Sequence, residues 1–127
     1  MSEAFDARKG LIRLRVRLHG PSGSAVATLA LDTGATSTTI DTYILVSIGC
    51  DPALSTKRVR TITASGVVYA PRLHIETIEA LGQVRSQFPV LALTLPPSTS
   101  IDGVIGLDFL RNRILTVDFQ DGFVTLT

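Results

Sequence analysis

Apolar and polar positions alternate most cleanly over residues 11–18. Ile12, Leu14, Val16 and Leu18 fall on one face and Arg13, Arg15 and Arg17 on the other, the period-two signature of a half-buried strand. His19, Gly20, Pro21, Ser22 and Gly23 supply turn formers, and residues 25–31 return as a second strand, so the two predict a hairpin. A polar stretch over 33–39 leads into a short helix over 42–48, with Asp41 placed to cap it and Gly49 to end it. Thr, Val and Ile dominate 58–78 on either side of Ala64, Ser65 and Gly66, which predicts a long hairpin with its tip at that triplet. A further strand over 83–95 is closed by Pro96 and Pro97. The rest predicts a short strand at Val104 and Ile105, a brief helix over 107–112, and a last hairpin of 114–119 and 123–127 turned at Gln120, Asp121 and Gly122. The expectation is a mostly β chain with two short helices. Residues 1–10 show no period and are expected as a flexible N-terminal arm, followed by a single domain over 11–127.

Composition narrows the partners. The 127 residues are 45% hydrophobic and 18% charged, enough apolar material for one real core and too little chain for two domains. Twelve Lys and Arg against 11 Asp and Glu leave a net charge of +1, so bulk electrostatics recruit neither nucleic acid nor an anionic membrane. The stripe of Arg13, Arg15 and Arg17 reads as a solvated face, and a nucleic-acid binder built on it would lack interleaved aromatics. Cys50 is the one cysteine, which excludes an intrachain disulfide and a Cys-rich zinc site. His19 and His74 are isolated, so neither a metal nor another cofactor is expected. No apolar run approaches the roughly 18 residues of a membrane span, and the start has no signal-peptide core. A cytoplasmic location is expected.

The chemistry concentrates at Leu31, Asp32, Thr33, Gly34 and Ala35. A carboxylate leaving an apolar strand is costly unless it is hydrogen-bonded. Gly34 lets the backbone bring an N–H towards it, and Thr33 supplies a hydroxyl where the chain is still buried. Alone, the tripeptide also reads as an ordinary turn at a strand end. A second segment, Asp102 through Leu110, follows about 70 residues later with Val104, Ile105 and Gly106 entering a short helix. Together the two segments resemble the paired signatures of the retropepsin-like aspartic proteases, and the likeness runs over residues 11–127. The run from Ile105 to Arg111 is similar to the retropepsin domain of the DNA-damage-inducible ubiquitin-shuttle proteins and of small bacterial relatives.

The resemblance implies a retropepsin-like acid protease half-barrel with a hairpin flap, homodimeric. Asp32 is then the catalytic aspartate, Thr33 the hydroxyl that locks the two active-site loops together, and Gly34 the amide that supports the carboxylate. Ala35, the flap residues Thr63, Ala64, Ser65 and Gly66, and Val104 and Ile105 are the substrate-binding positions. The chain departs from the retroviral pattern at the flap tip and at Thr36 and Leu107, which replace an acidic residue and an arginine that bond to each other. Aspartic catalysis needs two carboxylates, one as base on a water and one protonated. No other aspartate here has the context of Asp32: Asp102 and Asp108 read as organising the second loop and capping its helix. A second subunit must therefore supply the partner. The implied function is an aspartic endopeptidase acting on extended polypeptides. The rival is a non-proteolytic dimeric peptide- or protein-binding domain on the same fold.

Overall fold

A computed structural model describes residues 1–63 and 65–127; Ala64, at the expected flap tip, lies outside the described residues. The expected hairpin forms as β2 (Arg13–Gly20) and β3 (Gly23–Leu31), paired from Arg13 opposite Ala30 to Gly20 opposite Gly23. Its alternation is obeyed closely, since Leu14, Val16 and Leu18 are at most 1% exposed while Arg15 and Arg17 face outward. Each such inward aliphatic contributes about 1.5–3 kcal/mol of burial.

After β4 (Thr39–Asp41) comes α1 (Thr42–Ser47), capped as expected: the Asp41 carboxylate accepts from the Tyr43 N–H at 3.2 Å and from the Leu95 N–H at 3.1 Å. β5 (Lys57–Thr63) and β6 (Gly66–Ala80) form the long hairpin, and β7 (Gln83–Leu93) folds back on the far half of β6. β8 (Gly103–Ile105), α2 (Leu107–Leu110), β9 (Leu115–Asp118) and β10 (Phe123–Leu126) complete the chain.

Strand order in the main sheet is β2, β3, β8, β4, β7, β6, β5, and a further β2–β6 pairing at Leu18 and Ile78 closes the first six into a barrel. The wall is thus a complete ring of six strands. β5 hangs outside the ring as one leg of the flap. Inside sit Leu14, Leu29, Ile40, Ile75, Ile105 and Phe109, all nearly or fully buried, with the Phe109 ring edge-on to Phe88 at 5.9 Å.

Two local readings are corrected. Residues 1–10 are not wholly a loose arm: Ser2–Ala4 form β1, which pairs antiparallel with β10 in a three-stranded sheet of order β1, β10, β9. The Ser2 and Thr125 hydroxyls share a 2.6 Å hydrogen bond, and Phe5 packs edge-on to Phe119 at 5.7 Å. That strand is held by backbone pairing, which leaves no apolar period to read. Likewise the link between the polar stretch ending at Thr39 and the cap at Asp41, where no strand was expected, forms β4 between β8 and β7.

Candidate active site

Asp32 stands one residue beyond β3, at the point where the barrel strand ends and the chain turns. Its N–H donates to the Ile105 carbonyl at 3.0 Å, extending the parallel pairing of β3 with β8 by one rung. The Gly34 N–H donates to Asp32 Oδ1 at 2.9 Å, the amide support expected from the motif. A Cβ at position 34 would lie 3.2 Å from that same oxygen, so glycine permits the amide to approach this closely. The carboxylate itself is exposed.

The loop over 32–38 is stitched to the second signature. Leu107 N–H donates to the Ala35 carbonyl at 2.8 Å and Asp108 N–H to the Thr36 carbonyl at 3.3 Å. A side-chain clamp completes the seam. Thr38, 0% exposed, donates its N–H to both Asp108 oxygens at 3.0 Å and its hydroxyl to Oδ1 at 2.7 Å, and its Oγ1 accepts from the Gly106 N–H at 3.2 Å. Gly106 is wedged against this loop: a Cβ there would fall 2.7 Å from the Ser37 carbonyl carbon and 2.8 Å from the Ala35 oxygen. Asp108 therefore organises the loop, as expected, but does not cap α2, whose capping position, just before Leu107, is Gly106 and carries no side-chain cap. Asp102 has a parallel task, accepting from the Thr28 N–H and the Tyr43 hydroxyl, each at 2.9 Å. That bond, with burial and the Asp102 and Asp41 charges behind it, holds the Tyr43 pKa above its ordinary value.

A groove of about 680 Å³ opens in front of Asp32. Gly34, Ala35 and Val104 form its floor, Val59, Thr61 and Thr63 from β5 its roof, and Leu93 and Leu95 an apolar wall. Of the residues named from sequence, Asp32, Gly34, Ala35, Thr63 and Val104 line this groove. Thr33 does not; it is exposed, not buried, and its hydroxyl has no partner among the described residues. Ile105 is corrected outright: it is 0% exposed in the barrel core, because β8 alternates and Val104 takes the outward side. Ser65 and Gly66 sit at the exposed tip, where the Thr63 hydroxyl accepts from the Ser65 N–H and donates to the Gly66 carbonyl. The triplet's Ala64 lies outside the described residues. The sequence reading missed Val59, Thr61, Leu93 and Leu95; alternation back from Thr63 points to Val59 and Thr61, whereas Leu93 and Leu95 lie at the close of an apolar strand with no signal that separates them from the core.

Among the described residues no cluster of three His, Cys, Asp or Glu could hold a metal ion. Cys50 is buried, and its burial, helped by the Glu76 charge, pushes the thiol pKa up, away from a reactive thiolate. No helix among the described residues is long and apolar enough to cross a membrane.

A family model described as aspartyl protease matches residues 14–109. Among solved structures, the crystal structure of a retropepsin-like aspartic protease from Rickettsia conorii superposes with a TM-score of 0.74 at 16% identity, covering 99% of this chain and 88% of that one. At that identity the likeness is one of fold. No curated protein matches the chain.

Proposed function

The chain belongs to the aspartyl protease family and has a retropepsin-like fold, and from that premise we propose that it is an aspartic endopeptidase completed by a second copy of itself. One carboxylate takes a proton from water as the water oxygen attacks the scissile carbonyl carbon. The other, protonated, donates to the carbonyl oxygen. Collapse of the resulting diol, with a proton passed to the amide nitrogen, breaks the C–N bond. Two Asp32 side chains, one per subunit, are enough for this, and no cofactor is required.

The observation that carries the reading is the placement of Asp32: on a rigid strand end, oriented by the Gly34 amide, exposed, and facing a groove roofed by a β-hairpin. A strand-like peptide in such a groove can satisfy its own backbone by pairing. Assembly is supported by three features: the exposed Asp32 and Thr33, the free outer edge of β9, and the exposed Ile114, Phe119 and Phe123 around it.

The test is cleavage of a fluorogenic apolar peptide by the native chain and by Asp32→Asn, with the oligomeric state of both measured by sedimentation. Turnover by a native dimer and none by an equally folded Asp32→Asn dimer is expected. Turnover that survives the substitution would overturn the mechanism. Peptide binding without turnover by the native chain would move the assignment to the rival binding domain.

A further inference from the structure

A second hollow, of about 310 Å³, adjoins the groove and shares Thr36, Ser37 and Val59 with it. Its charged lining is Arg72 from β6, Arg111 from the end of α2, and Asp108. The carboxylate is already occupied, because both of its oxygens accept from Thr38. The two guanidiniums are exposed, and the salt bridges among the described residues lie elsewhere, at Arg8 with Asp6 and His19 with Glu79. Two cations against one anion leave the hollow net positive.

The flap reinforces that sign. From Pro52 through Ile75 the chain carries Lys57, Arg58, Arg60 and Arg72 and no Asp or Glu. Lys57 stands directly opposite Arg72 in the hairpin register, an unfavourable juxtaposition of like charges. Arg60 lines the main groove itself. A chain with a net charge of only +1 thus gathers uncompensated positive charge over the channel where an extended peptide would lie. Arginine forks match a carboxylate in a paired geometry, and charge focused in a cleft accelerates encounter with the opposite sign.

We propose that this hollow is a subsite for an acidic side chain, Asp or Glu, of the peptide, lying outside the two residues that flank the scissile bond. The proposal rests on the endopeptidase reading for its setting. In a symmetric dimer each subunit supplies one such hollow, so an acid is favoured on either side of the cleaved bond.

The experiment uses paired fluorogenic peptides with one apolar core, carrying Glu or Gln at successive outer positions. At one outer position on each side, Glu is expected to raise kcat/KM about two- to fivefold over Gln at low salt, the range of an exposed ion pair. The ratio should fall towards one as ionic strength rises and in the double variant Arg72→Gln, Arg111→Gln. Arg111→Glu should invert the preference in favour of Lys. The same peptides are also titrated against the Asp32→Asn chain by fluorescence anisotropy, which reads the preference without turnover. Tighter binding of the Glu peptide with no cleavage by the native chain would sink the endopeptidase reading and keep the subsite. Cleavage of both peptides at equal rates at every position would overturn the subsite and keep the reading. A Glu preference unchanged in the double variant would also overturn it, since the charge selecting the acid would then lie elsewhere on the flap.

Discussion

Removing the Asp108 carboxylate should loosen the active-site loop without touching the groove residues in front of Asp32. In Asp108→Ala, the Thr38 N–H loses its acceptor in a site where Thr38 is 0% exposed, a loss of about 1–3 kcal/mol. The 2.7 Å hydroxyl bond to a charged oxygen is worth about 1.5–3 kcal/mol more. Asp108 itself is only half-buried, so water can replace part of both, and the net cost should be about 2–4 kcal/mol. Asp108→Asn keeps the shape and one acceptor oxygen and should cost about half of that. The assay is urea unfolding at one fixed protein concentration, so that concentration does not enter the comparison between variants. Pairing Asp108→Ala with Thr38→Val in a double-mutant cycle isolates the hydroxyl arm of the clamp, with a coupling above about 1 kcal/mol expected. An Asp108→Ala cost below about 0.5 kcal/mol, the scale of a featureless surface change, would refute the argument.

Gly106→Ala places a methyl against the Ser37 and Ala35 backbone; it should destabilise the fold by more than about 2 kcal/mol, and an unchanged urea midpoint would show that the loop can yield. Tyr43→Phe removes the bond to Asp102 and with it a pH dependence: because the folded pKa is raised, that stabilisation is present below the unfolded value of about 10 and is lost as pH rises through the folded value. The stability gap between native and Phe chains should hold from pH 7 to 9 and shrink above about pH 10, and a gap still constant well above pH 10 would count against the bond. Deleting residues 123–127 uncovers β9 and β1 and discards the buried Val124 and Leu126, a loss of about 3–6 kcal/mol of burial; sedimentation should show the proposed dimer replaced by a monomer or aggregate, and a dimer that survives would refute the proposed interface at this sheet.

What could be read from the sequence was what local chemistry writes into it. The β2 alternation, the Asp41 cap, the Asp32 turn with its Gly34 amide and the last hairpin each declare themselves within a few residues. The Thr38–Asp108 clamp joins residues 70 apart, and neither threonine nor aspartate announces such a partner. β1 has no apolar period because it contributes backbone pairing and little side-chain burial. Ile105 was misassigned because a three-residue strand offers too short an alternation to show which side faces the groove. Closure of the ring depends on Leu18 meeting Ile78, a long-range pairing with no signal of its own at either strand.

The place of β8 between β3 and β4 also dictates an order of events while the chain is being made. Synthesis proceeds from the N-terminus at about 5–20 residues per second, and the β2–β3 hairpin and the β5–β6–β7 meander can form from neighbouring residues as they emerge. The central slot of the barrel stays empty until residues 103–105 arrive to fill it. Before then the Asp32 N–H has no Ile105 carbonyl to meet and Thr38 has no Asp108. Such distant closure is also the slow class of folding step. An unfinished chain therefore carries Asp32 with its local Gly34 amide but without the second loop that fixes the turn from behind.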